Sequence, residues 1–108
     1  MLEGSCHCGA VRLTLPRPPK DVADCNCSIC RRHGGLWAYY RVAELSVTGE
    51  TDTYVWGDRM LALHRCKTCG VVTHWSPLVD NIDRTGVNMR MFDPALVASL
   101  PVRKLDNA

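Results

Sequence analysis

Cys25-Asn26-Cys27-Ser28-Ile29-Cys30-Arg31-Arg32-His33-Gly34 packs three thiols into six consecutive residues. Working outward, Cys6-His7-Cys8 lies before it and Cys66-Lys67-Thr68-Cys69-Gly70 after it, so all seven cysteines of the 108-residue chain fall into three tight clusters. Thiolates one or two residues apart chelate one soft cation, and a tetrahedral Zn²⁺ shell closes when a second pair arrives from elsewhere in the chain. Disulfides are the rival reading. An odd cysteine count, and an N-terminus with no basic region followed by an apolar run, speak against a closed framework of bridges.

The clusters deliver unequal numbers of ligands. The simplest partition joins Cys6, Cys8, Cys66 and Cys69 around one zinc as a closed structural site. Cys25, Cys27 and Cys30 then hold a second zinc with a vacant fourth position, the open arrangement of a catalytic metal. Other partitions stay open: the middle cluster lends a thiol to either pair, or His33 or His64 fills the gap and makes both sites structural. Three thiolates leave the open site with a net charge of about −1, which makes its metal a poor activator of water. An incoming thiol suits it better, because coordination deprotonates the thiol and leaves its sulfur nucleophilic toward a small carbonyl carbon.

The formal charge of +2 counts every cysteine as neutral. Seven thiolates on two Zn²⁺ ions bring it to about −1, which argues against nucleic acid as a partner. No window approaches the roughly 20 apolar residues of a membrane span. Without a linker-like stretch, residues 1–108 are expected to form a single zinc-binding domain of a soluble, cytoplasmic protein. Hydrophobic residues make up 46%, yet one Phe, three Tyr and three Trp supply the large apolar side chains. Zinc then matters to folding, since a structural site contributes roughly 10–16 kcal/mol.

Val11, Leu13 and Leu15 alternate with Arg12 and Thr14, which predicts a half-buried strand starting just after Cys8. In an extended backbone Cys6 and Cys8 point the same way and His7 faces away, as a bystander. Ser28 is the expected N-cap of a short helical turn that Gly34 ends. Leu36–Val42, Leu45–Thr48 and Thr53–Trp56, separated by turn signals at Gly49 and Gly57-Asp58, predict an antiparallel meander. Met60–His64 leads into the Cys66–Gly70 knuckle, and Val71–Trp75 returns from it. Val87, Met89 and Met91 alternate with Asn88 and Arg90 in an expected last core strand, and Asp93-Pro94 opens a short helix through Ala98. The outline is mainly β with two short helical turns.

The segments GSCHCGAV at 4–11, CNCSICRRHG at 25–34 followed by LWAYY at 36–40, CKTCG at 66–70 and Asn88-x-Arg90 occur in that order. On them the chain resembles the glutathione-dependent formaldehyde-activating enzyme family, also called the centromere-protein-V-like domain family. The resemblance implies a zinc-stapled β-tent of small antiparallel sheets. It implies a structural zinc on Cys6, Cys8, Cys66 and Cys69, and a catalytic zinc on Cys25, Cys27 and Cys30. The implied activity is that of a carbon–sulfur lyase joining glutathione to formaldehyde to give S-hydroxymethylglutathione, or the reverse.

Around the triad, Arg31 and Arg32 are candidates to grip a carboxylate of a peptide-like thiol, with solvated surface arginines as the plain reading. His33 is a candidate proton carrier for the developing alkoxide, and capping the helix end explains it equally well. Gly34-Gly35 offers close backbone approach, Trp37, Tyr39 and Tyr40 are strand-packing residues or a pocket wall, and Asn88 and Arg90 share a strand face. The leading function is thus a zinc enzyme acting on a small thiol and a small aldehyde. The alternatives are a non-catalytic zinc module for protein or nucleic acid, and a redox or metal-buffering protein working through Cys66 and Cys69.

Overall fold

The computed structural model describes residues 1–108. Ten strands, β1 (Leu2–Ser5), β2 (Arg12–Leu15), β3 (Val22–Cys25), β4 (Trp37–Tyr40), β5 (Ser46–Thr48), β6 (Thr51–Tyr54), β7 (Leu61–Cys66), β8 (Val72–Pro77), β9 (Thr85–Asn88) and β10 (Val102–Leu105), form two sheets. The small sheet has the order β1-β2-β5 and the large one β10-β3-β4-β9-β8-β7-β6. Two short helices, α1 (Cys30–His33) and α2 (Pro94–Ala98), complete the mainly β fold.

The small sheet follows from the alternation at 11–15. Leu13 and Leu15 are fully buried, whereas Arg12 points to solvent. Both leucines join Val11, Val22, Tyr40, Val87, Met89 and Phe92 in the core between the sheets. Neighbouring residues of the large sheet divide between its two faces: Val22 and Ala38 enter that core, while Ala23 and Trp37 pack on the other side with Leu63. The outer layer continues with Ile29, Cys30, Tyr39, Trp56, Trp75 and Leu105.

Several expectations change. The predicted meander does not form: β4 lies in the large sheet, β5 in the small one, and β6 at the far edge of the large one. The third segment begins earlier than expected, at Thr51, because pairing with β7 sets Thr51 opposite Cys66. The last core strand stops at Asn88. Its side-chain oxygen accepts from the amides of Leu36 and Arg90, which turns Met89–Met91 into a 3-10 turn, and Thr85–Asn88 is buried throughout rather than alternating. Ser28 does not cap α1; Ile29 occupies the N-cap without a side-chain bond, while Gly34 ends the helix at φ +73° as expected. Cys6-His7-Cys8 is not extended but forms the loop of the β1–β2 hairpin, closed by Cys6 N–H to Val11 O at 3.0 Å. Three strands had no sequence expectation: β1, β3 and β10. β10 is also the one parallel strand, running alongside β3 with Leu105 opposite Cys25.

Candidate metal centres

Two hairpins build the four-cysteine group. Cys6 and Cys8 sit in the β1–β2 loop of the small sheet; Cys66 ends β7 of the large sheet and Cys69 lies in the loop leading to β8. Their sulfurs all lie within 4.8 Å of one another. Cys6 Sγ to Cys8 Sγ is 3.7 Å and Cys8 Sγ to Cys66 Sγ is 3.6 Å. A Zn–S bond of about 2.3 Å implies a tetrahedral S···S edge of about 3.8 Å, so the spacing suits zinc. None of the seven cysteines is disulfide-bonded.

Backbone amides converge on these sulfurs. Val11 N–H points at Cys6 Sγ at 3.3 Å, and the amides of Thr68 and Cys69 point at Cys66 Sγ at 3.4 and 3.5 Å. The Cys8 and Val71 amides pull the Cys69 thiol down to about 6. The Cys8 thiol goes the other way, to about 11: the Ala10 amide favours its thiolate, but burial and the sulfurs of Cys66 and Cys6 outweigh it. A bound cation would offset the mutual repulsion of thiolates held this close, and this group could hold one.

The triad is built from one continuous segment on the outer face of the large sheet. Cys25 ends β3, Cys27 lies in the following turn, and Cys30 begins α1. Their sulfurs also lie within 4.8 Å of one another, with no histidine, aspartate, glutamate or further cysteine in the group. Cys27 N–H approaches Cys25 Sγ at 3.5 Å and Cys30 N–H approaches Cys27 Sγ at 3.4 Å. Burial opposes ionisation of Cys27, yet the amide of Cys30 and the flanking thiols hold its thiol below the ordinary value. Burial and the Cys27 sulfur push the Cys30 thiol up. Three sulfurs fit a zinc with one position left for a further ligand.

Neither histidine considered as a fourth ligand is grouped with the triad's sulfurs. His64 meets Thr51 Oγ1 through Nδ1 and Ser76 Oγ through Nε2, each at 2.8 Å, and stacks on His74 with ring centroids 4.1 Å apart. His33 accepts Gly35 N–H on Nδ1 at 3.0 Å and sets its ring edge-on to Trp37. That bond leaves the proton of the neutral ring on Nε2, which is buried without a partner, as is Trp37 Nε1. Burial lowers the His33 pKa and favours this neutral form. His7 is exposed, consistent with a bystander.

Arg32 donates to Ser28 O at 2.7 Å and lines a cavity of about 220 Å³ with Ser28, Ile29, Tyr54 and Trp56, right beside the triad. Arg31 is exposed on α1 and lines no cavity. Tyr39 carries the Arg84 guanidinium over its ring at 4.0 Å, whereas Tyr40 belongs to the inner core. Asn88 is buried and structural, its Nδ2 donating to Val72 O. Arg90 lies on a 3-10 turn and donates from Nε to Gly34 O at 2.7 Å.

Sequence reasoning missed Asn107. Its Nδ2 donates to Cys25 Sγ at 3.3 Å, across 82 residues. β10 delivers it, and Asn26 secures the tail by accepting Asn107 N–H at 2.7 Å and donating to Asp106 at 3.0 Å. No local pattern marks such a contact. Sequence reasoning also missed the Tyr54–Trp56 stack, with centroids 5.3 Å apart, which lines the cavity beside the triad.

Known proteins resemble this chain in sequence and in fold. The family model described as "Glutathione-dependent formaldehyde-activating enzyme" matches residues 1–101, so β10 and Asn107 lie beyond the matched region. A Halomonas elongata protein named "Putative glutathione-dependent formaldehyde-activating enzyme" is 45% identical over 56 residues. That alignment covers 51% of this chain and 33% of the relative, so the match spans about a third of the curated protein's length. A crystal structure of a Rhodobacter sphaeroides protein superposes with a TM-score of 0.77 at 33% identity, covering 94% of this chain and 100% of the other.

Proposed function

The chain belongs to the glutathione-dependent formaldehyde-activating enzyme family, and on that premise we propose that it is a zinc-dependent enzyme of the carbon–sulfur lyase type. It adds a small thiol such as glutathione to formaldehyde or a related small electrophile, or runs the reverse reaction. One observation carries the reading: the two cysteine groups are unequal, four sulfurs in one and three in the other. Cys6, Cys8, Cys66 and Cys69 would hold a structural zinc, and Cys25, Cys27 and Cys30 a second zinc open to substrate.

A zinc held by Cys25, Cys27 and Cys30 would keep an incoming thiol deprotonated at neutral pH. In the addition, a bond forms between the thiol sulfur and the carbonyl carbon as the carbonyl π bond breaks, and the proton given up by the thiol ends on the oxygen. His33 is assigned the hydrogen bond to that oxygen as its charge develops; its Nε2–H has no partner but is buried, so the ring must turn toward the substrate to make that bond. Arg32 at the adjoining cavity, with Arg31 on the same helix, is assigned to a carboxylate of the thiol substrate. Tyr54 and Trp56 supply an aromatic wall of that cavity.

The test uses the zinc-loaded protein with glutathione and ¹³C-labelled formaldehyde. Exchange spectroscopy is expected to show faster formation and breakdown of the hydroxymethyl adduct than without protein, and Cys27→Ser is expected to lose the acceleration. Retention of full acceleration by that variant would move the chemistry away from the triad. A protein that holds two zincs and accelerates adduct formation for none of the thiols tried would instead be a non-catalytic zinc module.

A further inference from the structure

Two cavities of about 400 Å³ lie away from the triad, and they differ in kind. One is polar and carries its own counter-ions. Arg17, Lys20, Asp21 and Arg103 line it, with Arg103 paired to Asp21 at 2.9 Å and Arg17 paired to Glu44. The other runs between α2, the start of β10 and the Met89–Met91 turn. Leu36, Phe92, Val97, Leu100 and Val102 wall it, and its one charged residue is Arg90.

Arg90 is unlike the arginines of the polar cavity. It makes no ion pair within 4 Å, and the nearby Asp93 carboxylate is committed to the amide of Ala95 at the start of α2. The exposed Arg90 donates from Nε to Gly34 O at 2.7 Å, which orients the planar guanidinium and leaves its two terminal nitrogens without a partner in the protein. An oriented cation beside an apolar wall complements a molecule with an acidic end and an apolar body.

We propose that this cavity binds a small apolar carboxylic acid, its carboxylate on the terminal nitrogens of Arg90 and its hydrocarbon or aryl body against Phe92, Val97 and Leu100. At about 400 Å³ the cavity falls near the lower end of small-molecule sites, which limits the ligand to a short-chain or single-ring acid. None of its lining residues belongs to either cysteine group or to the cavity beside the triad. The site is therefore separate from both cysteine groups, and its one link to the triad's helix is the bond from Arg90 to Gly34 O.

The test titrates zinc-loaded, ¹⁵N-labelled protein with 3-phenylpropionate and follows amide shifts. Saturable shifts are expected at Leu36, Arg90, Val97 and Leu100. The neutral analogue 3-phenylpropan-1-ol should bind at least tenfold more weakly, and acetate should not saturate over the same range. Arg90→Gln should weaken the acid at least tenfold and leave the alcohol unchanged. Ala98→Phe fills the cavity while keeping Arg90, and should abolish binding of both; it serves alone if Arg90→Gln does not fold. Equal affinity for acid and alcohol, undiminished binding by Ala98→Phe, or shifts centred on Lys20 and Arg103 would overturn the proposal.

Discussion

At the residue scale, the seven thiols look alike in sequence and are unlike in place. Cys6 and Cys66 are buried at the junction of the two sheets; in the triad Cys25 is buried at the end of β3, whereas Cys27 and Cys30 are half-buried in the following turn and at the start of α1. Cys66→Ser is expected to lose one zinc and to unfold at 25 °C, because the roughly 10–16 kcal/mol of a structural zinc rivals the whole stability of a small domain. Cys27→Ser is expected to lose one zinc and stay folded. Metal analysis with far-UV circular dichroism checks both, and equal unfolding would mean that the triad is structural too. Asn107 acts through Cys25 as a positioning residue. Asn107→Ala should weaken metal at the triad about 10–100-fold, the usual effect of removing an outer-shell partner, while leaving the four-cysteine site unchanged. Chelator competition of the cobalt-loaded protein reads the two sites separately by their thiolate charge-transfer bands.

At the scale of elements, two glycines do different work. Gly34 ends α1 in the left-handed region with no atom within 4 Å of an added Cβ, so Gly34→Ala costs backbone strain alone, about 1–2 kcal/mol. Gly86 on β9 lies directly beneath the indole of Trp75, which sits opposite it on β8. Gly86→Ala must displace that ring and should cost about 1–3 kcal/mol, with a changed near-ultraviolet tryptophan signal that Gly34→Ala does not share. Urea denaturation of both variants measures the difference. The elements with clear local signals were legible: β2 from its alternation, β7 and β8 from the knuckle between them, and α2 from its Asp93 cap and Pro94. β1, β3 and β10 are four residues each and carry no such signal. Pairing supplies it: β10 lies alongside β3 because Val102 meets Val22 and Leu105 meets Cys25 across most of the sequence.

At the scale of the whole molecule, the four-cysteine centre joins a hairpin of the small sheet to a hairpin of the large one at the edge of their shared core. Removing zinc is expected to loosen the sheets from each other before it disrupts either. Chelation should therefore raise amide exchange first in β1, β2 and the Cys66–Cys69 loop. The large sheet carries a second, pH-sensitive feature. Burial, reinforced by His64, depresses the His74 pKa to about 3, and its Nδ1 meets Thr73 Oγ1 at 2.9 Å. The unfolded chain then binds a proton that the folded one refuses. The stability from this group is complete above its ordinary value of 6.5 and declines as pH falls from there toward 3. His74→Gln should lose less stability between pH 7 and 5.5 than the parent chain, as measured by urea denaturation at both values. An identical loss would show that His74 does not drive that pH dependence.

The sequence by itself determined the chemistry on offer: which thiols stand close enough to share an ion, how many ligands each cluster delivers, and the mainly β character. Those properties are local, set by spacing along the backbone and by side-chain alternation. Tertiary structure alone decided that the first and last cysteine pairs meet, that no histidine joins the triad, and that Asn107 reaches Cys25. It also left Arg90 oriented beside an apolar cavity. These are contacts between segments far apart in the chain, created when burial of the core aligns strands whose own residues carry no mark of their partners. The three-cysteine stretch thus offers a metal site in the sequence, and the fold brings no fourth Cys, His, Asp or Glu into that group.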